Sequence, residues 1–140
     1  MKALSATLKA LCDDSDILRL AYLDPSGAPR VVPVWYVMTD GAYSIGIGAS
    51  SPKWRAMQRE PRVGWVIDAG ARGQYKGVSL RGRAEAIREP RERARVFEAL
   101  GRKYFGTSDD PGFVEIYGRV DDPETVYVRL VPVDLSSWEY

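Results

Sequence analysis

The chain has 140 residues, 45% apolar and 28% charged, with a formal net charge of +1. This is the composition of one globular domain with a sizeable core; it argues against disorder and against the broad basic face of a nucleic-acid binder. With no histidine and one cysteine, Cys12, it excludes histidine-dependent triads, histidine-ligated haem, thiolate metal clusters and an internal disulfide.

Leu4, Leu8 and Leu11 fall at helical spacing and predict a short amphipathic helix over the first dozen residues. Ile17 to Leu23 reads as a strand, and Asp24-Pro25-Ser26-Gly27 as a turn. The next strand covers roughly Arg30 to Met38 and ends at Thr39-Asp40-Gly41, a hairpin signal. A third strand, near Tyr43 to Ile47, leads into Ser50-Ser51-Pro52-Lys53-Trp54-Arg55. Here Ser51 can cap a helix and Pro52 fits its first position, where no amide hydrogen is needed; Pro61 closes the helix. Two readings stand for this segment. It is an ordinary capped surface helix, or it is a phosphate seat built from the unpaired amides of the helix start, two hydroxyls, Lys53 and Arg55.

A fourth strand spans about Arg62 to Asp68, followed by a flexible Ala69 to Gly73. The clearest alternation comes next: Val78, Leu80, Ala84 and Ala86 point one way, and Ser79, Arg81, Arg83 and Glu85 the other. Pro90 opens a helix striped by Val96, Phe97, Leu100 and Tyr104. A short second helix begins at Asp110-Pro111, with Phe113, Ile116, Tyr117 and Val120 on one face. A strand with Val126, Val128 and Leu130 follows, then a last segment carrying Trp138. Hairpin-joined strands with too few helices for a βαβ repeat predict an α+β domain over residues 1–140: an antiparallel sheet or barrel with peripheral helices. No apolar run approaches a membrane span, and the first residues lack a signal-peptide core. The expected protein is soluble and cytoplasmic, with neither a membrane nor a nucleic-acid partner.

The order of these segments resembles the pyridoxamine 5'-phosphate oxidase-like family of flavin-binding split barrels, and in particular its small bacterial members that bind flavin mononucleotide or a deazaflavin coenzyme. The resemblance rests on Gly27-Ala28-Pro29-Arg30-Val31-Val32-Pro33-Val34-Trp35-Tyr36, Ser51-Pro52-Lys53-Trp54-Arg55 and Arg59-Glu60-Pro61-Arg62-Val63. Lys76-Gly77-Val78, Gly82-Arg83-Ala84-Glu85 and Ser137-Trp138 complete it. It implies a six-stranded antiparallel split β-barrel that forms a homodimer, with a flavin in each of two interfacial grooves. Lys53 matches the phosphate-binding lysine, assisted by Ser51 and Ser50. The strand lining the ring system matches Arg30 to Trp35, which brings Arg30, Val32, Pro33, Val34 and Trp35 to the cofactor. The partner subunit is implied to contribute from near Lys76 and Gly77, and from Trp138. Ala56 stands where many relatives have asparagine, which removes one polar contact.

The same residues carry structural readings. Trp35, Trp54 and Trp65 are more often packing residues than ring-stacking ones, and Trp138 can clasp a dimer. Arg81 and Arg83 read as a solvated strand face or as a grip on an acidic tail. Arg91, Arg93 and Arg95, interleaved with Glu89 and Glu92, read as a solvated helix face. Asp13, Asp14 and Asp16 form a helix-end loop without calcium-loop spacing, so no metal is assigned. Cys12 looks structural.

No nucleophile-and-base pair stands out, so no catalytic side chain is assigned and the reactive chemistry is expected to belong to a bound organic cofactor. The resemblance implies an FMN-dependent oxidoreductase acting on an unidentified small molecule. The alternatives are a deazaflavin-dependent reductase in the same groove and a non-enzymatic flavin-binding protein.

Overall fold

A computed structural model describes residues 3–140. Helix α1 (Ala6–Asp14) is capped by Ser5, whose hydroxyl accepts from the Leu8 amide, and buries Leu8, Leu11 and Cys12. Strands β1 (Leu18–Leu23), β2 (Pro29–Val34), β3 (Val37–Thr39) and β4 (Ala42–Gly48) follow, then α2 (Pro52–Arg59). The chain continues through β5 (Arg62–Ala71), β6 (Gln74–Ala86), α3 (Pro90–Phe105), α4 (Pro111–Tyr117) and β7 (Thr125–Glu139). Among the described residues no helix is long and apolar enough to cross a membrane.

All strands join one antiparallel sheet in the order β2-β1-β5-β6-β7-β4-β3. Its two edges, β2 and β3, are separated in the chain by Trp35 and Tyr36 alone. The sheet must therefore curl until its edges meet at that end, giving a half-barrel.

Among the described residues the sheet has seven strands, not six. The single strand expected over Arg30 to Met38 is broken at Trp35-Tyr36: Val34 pairs with Leu18 of β1, whereas Val37 pairs with Ser44 of β4. Side chains of α3 make the break tolerable by satisfying the corner's backbone. The Tyr36 amide donates to the Tyr104 hydroxyl at 3.0 Å, and Lys103 Nζ donates to the carbonyls of Tyr36 (2.9 Å) and Ser15 (2.6 Å). The Lys103 ammonium also lies 4.0 Å from the centroid of the Tyr36 ring. Burial lowers the Lys103 pKa, against the opposing pull of Asp16, Asp14 and Asp13.

Two further expectations shift. Ala69 to Ala71, read as flexible, is ladder-paired with Gln74 to Lys76. The final strand and the terminal segment are one strand, β7, irregular where Arg81 faces Asp134 and Gly82 faces Pro132. Proline is accommodated at such a bulge because a ladder donor is not required there.

The main core lies between the curled sheet, α1 and α2, around Leu20, Tyr43, Ile45, Trp65, Ile67, Leu80 and Met57. As the alternation predicts, Val78, Leu80 and Ala84 are buried while Arg81, Arg83 and Glu85 are exposed. A second cluster packs Val96, Phe97 and Leu100 of α3 and Phe113 and Tyr117 of α4 against Val37, Ile87 and Tyr127. The face expected for α4 holds only in part: Ile116 is 59% exposed, and Val120 lies beyond the helix.

Candidate functional site

Helix α2 begins as its sequence requires. Ser51 Oγ accepts from the Trp54 amide at 3.3 Å and donates to the Gly48 carbonyl at 2.7 Å, so both functions of this hydroxyl are used within the loop. The Ala49 amide is bonded to the Glu124 carbonyl, that of Ser51 to Gly48 and that of Arg55 to Ser51. Among the described residues, the amides of Ser50 and Lys53 are left without a protein acceptor. Two donors and the Lys53 ammonium thus stand at the positive end of the helix.

Lys53 lines a groove of about 660 Å³ whose walls include Pro33, Val34 and Trp35 from the end of β2 and Gly46, Ile47 and Gly48 from β4. The opposite wall comes from α4 and the connector after it, with Glu115, Ile116, Tyr117, Gly118, Asp122, Glu124 and Thr125. Trp35 is held by stacking on Tyr104, with ring centroids 4.5 Å apart and planes 7° apart. Tyr117 stacks over Gly46 beside Tyr127; a β-carbon on Gly46 would sit 2.8 Å from the Tyr117 ring and 2.9 Å from the Tyr127 ring. Burial pushes the Tyr117 hydroxyl pKa up to about 12, so it enters the groove as a neutral phenol. At Gly48 a β-carbon would meet nothing closer than Ser51, 3.8 Å away, which leaves the floor open.

The structure thus brings together Lys53, Pro33, Val34 and Trp35, with Ser50 and Ser51 at the mouth of the same helix. It places the others elsewhere. Arg30 is exposed and its Nε donates to Asp24 at 3.0 Å. Val32 is half-buried against the main core. Ala56 is buried and does not line the groove. Lys76, Gly77 and Trp138 lie at the far ends of β6 and β7, where Lys76 pairs with Glu139 and Gly77 with Trp138. The Trp138 ring covers Gly77 and stacks on Tyr75 at 5.9 Å, and its indole nitrogen is buried without a hydrogen-bond partner. Lys76 and Tyr75 line a separate cavity of about 420 Å³.

Trp54 and Trp65 are buried packing residues. Arg81 and Arg83 line a third hollow, of about 680 Å³, with Arg62; Arg81 is ion-paired with Asp134 and Arg62 with Glu60. That hollow shares no lining residue with the Lys53 groove. Arg93 departs from the expected solvated face: its guanidinium donates to three backbone carbonyls of the connector after α4.

The acidic wall was not legible. Glu115, Asp122 and Glu124 have no spacing signal; Glu115 reaches the groove from α4, and Asp122 and Glu124 from the connector that follows it. The sole available hint was Ile116, an apolar residue next to a helix end.

A model of the pyridoxamine 5'-phosphate oxidase family matches residues 4–139. Among solved structures, the chain is similar to a conserved hypothetical protein from Mycobacterium tuberculosis, with 28% identity, a TM-score of 0.83, and coverage of 98% of this chain and 86% of that one. It is similar in fold to an FAD-binding protein from Mesorhizobium loti, at 23% identity and a TM-score of 0.74, covering 98% of this chain and 96% of that one. An F420 reductase shares the fold at 18% identity and a TM-score of 0.72, covering 95% and 98%. No curated protein matches the chain.

Proposed function

The chain belongs to the pyridoxamine 5'-phosphate oxidase family, and from that premise we propose that it is an oxidoreductase using flavin mononucleotide to exchange hydride with a small molecule. The observation that carries this reading is the meeting of Lys53 and the apolar edge Pro33-Val34-Trp35 in one groove, at the helix start where the Ser50 and Lys53 amides have no protein acceptor. An anionic phosphate suits the first group and a planar ring system the second. When bound, the flavin supplies the hydride chemistry. The chain's own residues then have binding and orienting tasks: Lys53 with the Ser50 and Lys53 amides for the phosphate, Pro33 to Trp35 for the ring. Ser51, whose hydroxyl is engaged in the cap, contributes through helix geometry.

Lys76, Gly77 and Trp138 can serve this groove only from a second copy, because in one chain they line none of it. A homodimer is therefore part of the proposal. The buried free thiol of Cys12 fits a reducing compartment, and we place the protein in the cytoplasm.

The fold shared with the F420 reductase supports a second reading, a deazaflavin-dependent reductase. Against it, the arginines available for an acidic tail line a different hollow, and two of the three are already ion-paired. A non-enzymatic flavin-binding role would use the same groove. Titrating the purified chain with FMN and with the deazaflavin coenzyme, then offering the reduced complex oxygen, quinones and unsaturated carbonyls, separates the three. Tight FMN binding with turnover of an acceptor supports the proposal. Binding without turnover supports sequestration, and absence of FMN binding overturns it.

A further inference from the structure

We propose that Arg93 of α3 is a positioning residue for the Lys53 groove, fixing the connector 118–125 as its acidic wall and thereby setting how tightly the groove holds its ligand. The inference rests on the reading of that groove as the flavin site. Arg93 Nε donates to the Val120 carbonyl at 2.6 Å, Nη2 to that of Asp122 at 2.8 Å and Nη1 to that of Thr125 at 3.1 Å. Its guanidinium carbon lies 4.7 Å from the Tyr127 ring centroid, which holds the fork in one plane. One side chain therefore gathers three carbonyls spread over six residues that belong to no helix and, before Thr125, to no strand.

The gathered carbonyls decide where the side chains go. Asp122 and Glu124 line the groove, while Asp121 and Pro123 line a cavity of about 430 Å³ behind the connector, bounded by Trp54 and Gln58 of α2. The connector is thus a thin partition with open space on both sides. Besides Arg93 it has short internal bonds, anchors at its two ends (the Gly118 amide to Val114 and Thr125 Oγ1 to the Tyr117 carbonyl of α4, and the pairing of Thr125 with Gly48) and, in between, one tie from the Ala49 amide just after β4 to the Glu124 carbonyl. That tie leads directly to the Ser50-Ser51 turn, so a released partition deforms the mouth of the phosphate seat and frees the Asp122 and Glu124 carboxylates to approach the bound phosphate, both of which weaken binding. Lysine, with one compact ammonium, cannot span the three carbonyls.

The test compares wild type, Arg93→Gln and Arg93→Lys by amide hydrogen exchange and by FMN titration. In Arg93→Gln, exchange over 118–125 is expected to accelerate at least tenfold with β5 and β6 unchanged, and FMN affinity to fall about tenfold. Arg93→Lys should lie between, since it keeps the charge and one carbonyl. Unchanged exchange in 118–125, exchange raised throughout the sheet, or FMN affinity within twofold of wild type would each overturn the inference while leaving wild-type binding, and so the flavin reading, intact. Failure of the wild-type chain to bind FMN would overturn the flavin reading itself and the affinity role with it.

Discussion

Replacing Lys53 with alanine tests the phosphate seat most directly. Lys53 is half-buried in the groove and makes no ion pair among the described residues, although three carboxylates share its walls. A bound phosphate would be its close counter-ion, and one charge-assisted hydrogen bond of this kind is worth about 1.5–3 kcal/mol. That corresponds to a ten- to hundredfold loss of affinity. Partial exposure favours the lower end at physiological salt and the upper end at low salt, where screening is weaker. The apo fold should not suffer, because a cation in the first turn opposes the helix dipole by about 0.3–1 kcal/mol. The assay is quenching of flavin fluorescence at two ionic strengths, with FMN and with riboflavin, which lacks the phosphate. Lys53→Ala should weaken FMN and leave riboflavin unchanged. Retention of FMN binding within twofold of wild type, or equal weakening of both ligands, would refute the assignment.

Glu124→Gln removes a carboxylate whose residue is hydrogen-bonded to the turn before α2, so relief of like-charge repulsion of about 0.5–1 kcal/mol should tighten FMN binding some two- to fivefold in the same titration. Gly46→Ala would place a methyl 2.8 Å from the Tyr117 ring and 2.9 Å from that of Tyr127; overpacking should cost about 1–3 kcal/mol in chemical denaturation, and an equally stable variant would show that the rings yield into the groove. The Asp24 carboxyl is held down at about 2, first by the Ser26 hydroxyl and then by Arg30. Its stabilisation of the β1–β2 turn is complete above the ordinary 3.8 and is withdrawn as pH falls through about 2. A titration of this carboxyl by NMR checks it, a midpoint near the ordinary value contradicting the turn. Cys12, buried and with its thiol pKa raised chiefly by that burial, should alkylate far more slowly in the native than in the denatured chain by mass spectrometry, and flavin binding should survive its modification.

What the sequence determined by itself was local. The start of α2 follows from Ser51-Pro52, the exposed and buried faces of β6 from its alternation, and the α3 stripe from helical spacing, because caps, turns and periodicity act over a few residues. These were enough to place a lysine at a helix mouth after a hairpin strand. The closure of the sheet was decided elsewhere. Breaking one expected strand into β2 and β3 depends on Lys103 and Tyr104, 67 and 68 residues from Tyr36 in the chain. The same holds for the groove's second wall: Ile116 reads as core until α4 packs on α3 through Phe113 and Tyr117 and leaves it outside. Arg93 has the spacing of a solvated arginine, and only the course of a connector some 30 residues later gives its fork three carbonyls to bind. Satisfying buried backbone groups at corners and connectors is a tertiary matter, since the donors come from whichever element the fold brings near.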